Sequence, residues 1–161
     1  MGARKQKPQK QLQRFAEQLR LFSGSTYAPS LNNWEDAFNE LKVLINSRPS
    51  DERKVIFIDE MPWIDTPRSS FVEALEYFWN AWAAQRDDIM FIACGSATSW
   101  MVNKLVKNRG GLHNRITEQI YLRPFTLGEC EEYLQNNGFI WDRYTILQYY
   151  MAMGGVPYYL T

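Results

Sequence analysis

The sequence predicts an α/β fold in which a parallel sheet is flanked by helices. Two apolar runs carry this prediction, 55–59 and 89–94, and a long amphipathic segment lies between them. Strands of a parallel sheet are buried on both faces and therefore read as unbroken apolar runs. A strand–helix–strand order is typical of a parallel pair joined by a crossover helix. We therefore expect both runs to be strands that pair in parallel and are covered on both faces.

Two helices are expected before the first strand. The segment 9–22 carries apolar side chains at helical spacing, which predicts the first helix. A second helix is expected after Asn32 or Asn33, because either side chain can cap it. Glu35 and Asp36 would lie in its first turn, where the helix dipole favours acids.

The segment that joins the two strands is predicted to be a long helix from Pro67 to about Arg86. Its apolar residues form one stripe at helical spacing: Phe71, Val72, Leu75, Phe78, Trp79 and Trp82. Such a stripe could stack on bases, but it is more typical of a helix face that packs on a sheet. After the second strand we expect a helix over 99–108 and a third strand over 118–123.

A smaller helical region is predicted after Pro124. Thr126 would open a helix with Glu129 as its capping-box acid, and Asp142 would cap a further helix that Gly154 ends. The predicted organisation is therefore an α/β domain over 1–125, followed by a helical subdomain that begins at 126 and continues to 161.

The composition is that of a folded domain without electrostatic bias. Apolar residues make up 45% of the 161 residues, and the formal net charge is zero. No overall field would draw such a chain to nucleic acid or to a membrane, and we expect neither as a partner. Two cysteines are too few for a disulfide framework, and no segment reaches the roughly 18 apolar residues of a membrane span. We expect a cytoplasmic protein.

Polar residues follow both predicted strands. Asp59 and Glu60 end the first run, and Ser96 follows the second. The carboxyl ends of parallel strands share one sheet edge, which is where ligands bind in open α/β sheets. One acid there could hold Mg²⁺ through water and the other could activate a water molecule. From these residues alone, an equally good interpretation is a buried strand that ends in solvated acids, with Ser96 as a helix cap.

Two further features bear on nucleotide chemistry. Arg115 follows a glycine break and could contact a phosphate, although a solvated surface arginine is the more common case. The phosphate-binding motif G-x-x-x-x-G-K-[ST] does not occur in these residues, since none of the nine glycines is followed by lysine. The sequence thus has candidate catalytic acids without the loop that would wrap the phosphates.

Taken together, several stretches between 55 and 160 closely resemble prokaryotic AAA+ ATPases of the archaeal-ATPase type, which are neighbours of the STAND signalling ATPases. The matching stretches are VIFIDEMPWID (55–65), FVEALEYFWNAWA (71–83), CGSATSWM (94–101), GGLHNR (110–115), YLRPFTLGECEEYL (121–134) and GGVPYYL (154–160). Each stretch alone is only suggestive, whereas their combination is specific.

This resemblance implies a P-loop NTPase fold that binds ATP and Mg²⁺. Asp59 and Glu60 would be the Walker B acids, with Asp59 near the metal, and Ser96 would be the sensor-1 residue. Arg115 matches the arginine that follows the glycine break, which would be an arginine finger that acts on the nucleotide of a neighbouring subunit. The stretch 127–153 would begin the helical lid. The parent protein would be an ATP-driven molecular switch.

Such ATPases begin with a strand, a phosphate loop and a helix, and this sequence has no counterpart of these three elements. That strand would lie at the centre of the sheet, between the second and third predicted strands. We therefore expect a fragment of an ATPase that is inactive alone. The alternative is a nucleotide-free remnant that binds protein partners, or itself, through exposed sheet edges and aromatic side chains.

Overall fold

The structure is a computed structural model that describes residues 8–48, 52–107, 110–112 and 114–160. The chain forms two compact units, the first ending at Thr117 and the second beginning at Glu118. None of the helices within the described ranges is both long and apolar enough to cross a membrane.

The first unit is mixed α/β. Its elements are α1 (Pro8–Ser23), α2 (Trp34–Asn46), β1 (Lys54–Ile58), α3 (Met61–Ile64), α4 (Phe71–Ala81), β2 (Ile89–Ala93) and α5 (Thr98–Met101). A 3-10 turn over Ala83–Gln85 follows α4, and α5 continues into a π-helical turn over Val102–Val106. The predicted helix over 99–108 is thus present, although its last residue lies outside the described residues.

The two strands pair in parallel, as the sequence predicts. Lys54 lies opposite Ile89, and the register continues to Ile58 opposite Ala93. These two strands are the whole sheet within the described ranges. The connection between them passes through α4, which is the crossover helix expected for a parallel pair.

The predicted third strand over 118–123 is wrong. This segment is irregular, and its apolar side chains at Ile120, Tyr121 and Leu122 are exposed. Among the described residues, no backbone hydrogen bond forms at any position from 116 to 124. An apolar run becomes a strand only when a neighbouring strand pairs with its backbone, and none of the described residues pairs with this one.

The core of the first unit lies on one face of the sheet. Ile56 and Ile58 of β1 belong to a buried cluster with aromatic residues of α2 and α4. The Trp34 ring lies 4.9 Å from that of Phe71, and the Phe38 and Phe78 rings stack at the same separation. These contacts confirm that the aromatic stripe of α4 packs against the protein interior.

The predicted helices α1 and α2 are confirmed, and the crossover helix is shorter than predicted. Asn33 caps α2, since its Oδ1 accepts a hydrogen bond of 2.8 Å from the backbone N–H of Asp36. The helix α4 begins at Phe71 instead of 67 because Arg68 and Ser70 adopt positive φ angles, which a right-handed helix excludes. It ends at Ala81 because Trp82 leaves the helical region.

The other face of the sheet is open, so the prediction that both strands are covered on both faces is wrong. Val55 and Phe57 of β1 are 57% and 59% exposed, and Met90 and Ile92 of β2 are 41% and 39% exposed. The register pairs Val55 with Met90 and Phe57 with Ile92, which places all four on one side. We call these four side chains the open face.

The second unit consists of α6 (Leu127–Asn136), α7 (Arg143–Met153) and a 3-10 turn over Pro157–Tyr159. The Thr126–Glu129 capping box and the Asp142 cap are both confirmed. Its buried hydrophobic side chains, among the described residues, are Cys130, Leu134, Ile146 and Leu160. The backbone N–H of Phe125 donates a hydrogen bond of 2.7 Å to the Gly155 carbonyl. Only glycine fits at position 155, because a Cβ there would overlap the backbone of Phe125.

Candidate active site

The carboxyl ends of β1 and β2 lead into two loops that leave the sheet side by side. Beyond the last paired residues, the Cys94 N–H donates to the Ile58 carbonyl at 2.9 Å, and the Met61 N–H donates to the Cys94 carbonyl at 3.0 Å. The parallel ladder therefore continues past the strands, and it carries Asp59 and Glu60 alongside the segment 94–96. This is the sheet edge at which the sequence places the candidate site.

Glu60 and Ser96 are in direct contact at this edge. The Ser96 hydroxyl donates to Glu60 Oε2 at 3.1 Å, and the Ser96 backbone N–H approaches the same oxygen at 3.4 Å. The predicted convergence of these two residues is confirmed. Glu60 adopts a left-handed conformation with φ of 53°, which is uncommon for a residue with a side chain. The turn at Glu60 thus directs its carboxylate across to the neighbouring loop.

Asp59 lies on the other side of the ladder. It is exposed and continues the alternation of Val55 and Phe57, so it extends the open face, as Cys94 does after Met90 and Ile92. The pKa of the Cys94 thiol is raised, first by burial and then by a hydrogen bond to Asp59 and the negative charge of that carboxylate. Cys94 is therefore a neutral thiol at pH 7, acting as a donor to Asp59 rather than as a nucleophile.

The loop after β1 is held on two sides. Trp100 Nε1 donates to Asp65 Oδ2 at 3.0 Å, and Gln11 Nε2 donates to the Trp63 carbonyl at 2.7 Å. A Cβ on Gly95 would lie 2.5 Å from Cδ of Pro62, so only glycine lets the loops after β1 and β2 approach this closely. Hydrogen bonds and close packing therefore hold the loops that carry the side chains at the strand ends, and catalytic groups require such support for precise positioning.

Arg115 is not part of this cluster. Its side chain is exposed and forms no hydrogen bond or ion pair within the described residues. The loop before it is anchored to α4, because Asn80 Nδ2 donates to the Gly111 carbonyl at 2.7 Å and Leu112 is buried in the core. Asn80 lies near the end of α4, whereas the loop from the candidate site enters that helix at its start. The structure thus joins Glu60 with Ser96 and leaves Arg115 apart from both.

The described residues contain no group of three or more His, Cys, Asp or Glu side chains placed to hold a metal ion. Asp59 and Glu60 supply hard oxygen atoms, the chemistry that Mg²⁺ prefers, and Asp59 is open to solvent. Magnesium sites of nucleotide enzymes commonly take one or two carboxylates and complete the shell with water and phosphate oxygens. The two acids fit that limited role and do not form a metal site by themselves.

Sequence reasoning missed Cys94 and the bracing contacts. Cys94 ends the run 89–94, which the sequence predicts to be covered on both faces, whereas it is only partly buried and lies beside Asp59. The signal was present, because counting the parallel register one step past Ile58 and Ala93 pairs Asp59 with Cys94. The contact between Trp100 and Asp65 has no such signal, since neither residue lies in a strand.

In comparisons with family models, with curated proteins and with solved structures, nothing matches this chain. The resemblance to AAA+ ATPases is therefore a prediction from the sequence stretches themselves. The geometry at the strand tips is independent of that resemblance.

Proposed function

We propose that the chain carries the acidic half of an ATP-hydrolysing site of the AAA+ type, within a P-loop NTPase fold. The observation that supports this proposal best is the hydrogen bond from Ser96 to Glu60 at the carboxyl ends of two parallel strands. The left-handed turn at Glu60, where α3 begins, holds this acid against the neighbouring loop. The role of such a site would be that of an ATP-driven molecular switch.

Each residue then has a distinct role. Glu60 accepts the Ser96 hydroxyl at one carboxylate oxygen, and the other oxygen would take the proton of an attacking water molecule. Asp59 follows the open face and is exposed to solvent, so it would hold a water of the Mg²⁺ shell. Bound Mg²⁺ would supply charge neutralisation at the phosphates. Arg115 lies outside this network and would act on the nucleotide of a neighbouring copy.

Hydrolysis at this site would require a phosphate loop, which the 161 residues of this sequence do not contain. A phosphate loop contributes backbone donors and a lysine, and hydrogen bonds to charged groups contribute about 1.5–3 kcal/mol each. Without several of these, affinity falls by a factor of ten for every ~1.4 kcal/mol. We therefore expect the chain alone to bind Mg-ATP only in the millimolar range, as titration calorimetry would show.

Paramagnetic broadening by Mn²⁺-ATP tests the site at such low affinity. Manganese replaces magnesium on oxygen ligands, and the amide signals of Met61 and Ser96 should broaden first because they lie beside Glu60. Asp59→Asn should weaken this broadening severalfold. The matched control is Asp87→Asn, which changes an exposed acid before β2, at the opposite sheet edge. Broadening that is strongest elsewhere, or equal in Asp59→Asn, would contradict the assignment.

A catalytic test follows if ATPase activity appears once a phosphate loop is supplied. Glu60→Gln should then reduce turnover by roughly 100- to 10,000-fold, the usual effect of losing a general base, with little change in ATP affinity. Asp59→Asn should also weaken nucleotide binding because it removes an oxygen ligand. Unchanged turnover in Glu60→Gln would show that the acids only end a strand.

The open face favours a second candidate function, a protein-interaction module. Four neighbouring apolar side chains and the unpaired segment 116–124 are exposed in the same chain. Exposed strand edges and apolar patches both promote association with other chains. Mn²⁺-ATP broadening centred on Met61 and Ser96 would favour the hydrolase, whereas association without nucleotide binding would favour the module.

A further inference from the structure

The open face is an unusual surface for a parallel sheet. Such sheets occur almost only with helices on both faces, because their side chains are apolar on both sides. Here the buried side chains of the helices of the first unit cluster with Ile56 and Ile58, while Val55 and Phe57 face away from them. The surface that completes such a sheet is therefore the apolar side of a helix.

The helix α7 exposes an apolar stripe. Tyr144, Leu147 and Met151 are 68%, 38% and 78% exposed, and their spacing places them on one side of the helix. The opposite side packs within the second unit through the buried residue Ile146. A helix that is apolar on both sides is typical of one buried between two layers. We call these three exposed residues the α7 stripe.

The two surfaces agree in length and in charge. The α7 stripe spans about 10 Å, and the distance from Val55 to Asp59 along the strand is about 13 Å. Arg143 begins α7 with a highly exposed guanidinium whose Nε donates to Glu131 Oε1 at 2.9 Å, and Asp59 follows the open face with an exposed carboxylate. The other N–H groups of the guanidinium can still reach a second carboxylate. Placing these charges together orients the helix antiparallel to the strands. A crossover helix in a parallel sheet also runs antiparallel to the strands that it connects.

The area favours a reciprocal contact over a single one. From their exposed fractions, the open face and the α7 stripe would together bury roughly 700 Å² in one contact, which is the size of a crystal contact. Two such contacts would bury roughly 1,400 Å², within the range of about 1,200–2,000 Å² for stable complexes. A second copy of this chain supplies both contacts at once, because each copy carries one open face and one α7 stripe.

We propose that two copies of this chain form a two-fold dimer in which α7 of each copy packs on the open face of the other. The dimer deepens the second candidate function, on which it rests, by naming the partner. Each interface joins one open face to one α7 stripe, so a substitution on either surface affects the dimer twice. The nucleotide site is tested separately by the Mn²⁺-ATP experiment, and failure of one test leaves the other result standing.

Sedimentation velocity over roughly 1–100 μM protein tests the dimer. The chain should sediment as a monomer–dimer equilibrium, and Phe57→Glu and Met151→Glu should each raise the dissociation constant about 100-fold or more, because each places two charges in apolar contacts. Both side chains are exposed in the single chain, so the variants should keep their circular dichroism spectrum and melting temperature. The matched controls are Val43→Glu and Ile140→Glu, exposed residues outside both surfaces, which should dimerise normally.

Mixing the two disrupted variants sharpens the test. A mixed dimer of Phe57→Glu and Met151→Glu places both charges in one interface and leaves the other interface unchanged. Its dissociation constant should therefore be lower than that of either variant alone. The proposal is overturned if the unmodified chain is monomeric throughout this range, or if Phe57→Glu dimerises as well as the unmodified chain. It is also overturned if mixing restores no association.

Discussion

The two faces of the β1–β2 sheet carry similar residues and have opposite surroundings. On one face, Ile56 and Ile58 are buried beneath aromatic side chains of α2 and α4. On the other, Val55 and Phe57 lie exposed and lead directly to Asp59. An apolar strand sequence therefore shows that both faces of the strand can be buried, whereas their actual burial depends on which elements pack against each face.

The largest difference between the faces should appear in stability. Phe78 is fully buried on the covered side, so Phe78→Ala should lower the free energy of unfolding by about 3–5 kcal/mol. Phe57→Ala should change it by no more than about 0.5 kcal/mol, since that side chain is already exposed. Urea unfolding at low protein concentration, where the chain is monomeric, measures both. Equal losses would mean that the open face is covered within the single chain.

These faces also show what the sequence could predict. Local features were predicted correctly: the two strands, their parallel pairing, and the caps at Asn33, Thr126 and Asp142 each depend on residues close in sequence or on simple alternation. The coverage of the sheet was not predicted correctly, because it depends on helices that are distant in sequence from the strands. The run 118–123 has strand composition, and composition cannot supply the neighbour that a strand needs.

The candidate site follows the same division. The contact between Glu60 and Ser96 was predictable, because the register of a parallel pair fixes what meets at its carboxyl edge. The position of Arg115 was not predictable, since a loop of this kind is placed by long-range contacts such as that between Asn80 and Gly111. The late start of α4 had no sequence signal either, because Arg68 and Ser70 rarely adopt positive φ angles.

The close approach of the two loops at the site should produce the next largest effect. Gly95→Ala should lower the free energy of unfolding by about 1–3 kcal/mol, because its Cβ would overlap the Pro62 ring. The matched control is Gly128→Ala at the start of α6, where a Cβ meets nothing within 4 Å. That change should leave stability unchanged or raise it by up to about 1 kcal/mol. If Gly95→Ala is as mild as its control, the loops lie further apart than described.

The amino-terminal edge of the sheet should respond to acid. Arg86 and then Lys54 hold the pKa of Asp88 well below its usual range through hydrogen bonds of 2.7 and 2.9 Å. Because the folded pKa is depressed, this stabilisation is present above the ordinary aspartate pKa of about 4 and is lost as the pH falls toward the folded value. Asp88→Asn should therefore flatten the decline in melting temperature below about pH 4. Glu129 and Asp142 also have lowered pKa values, so part of the decline should persist. A profile identical to that of the unmodified chain would contradict the ion pairs.

The smallest expected effect probes the end of the open face. Asp59 raises the pKa of the Cys94 thiol by accepting its hydrogen bond and by its charge, after burial as the largest cause. Asp59→Asn should therefore increase the rate at which Cys94 reacts with a disulfide reagent at pH 8, by roughly two- to fivefold, because more thiolate is present. Burial is unchanged by this substitution, which limits the gain. Cys130 is buried and serves as an internal reference whose rate should not move.

The same measurement distinguishes the open face from a covered one. Cys94 continues the row of Met90 and Ile92, so a second copy that docks there should shield the thiol. Its reaction rate should fall as protein concentration rises through the dimer dissociation constant, and this fall should disappear in Met151→Glu, a change on the surface that docks. Asp87→Asn, at the opposite sheet edge, should alter neither rate. If the reaction rate of Cys94 does not change in Asp59→Asn, Asp59 does not contact the thiol. If the rate does not change with protein concentration, the thiol does not lie in the dimer interface.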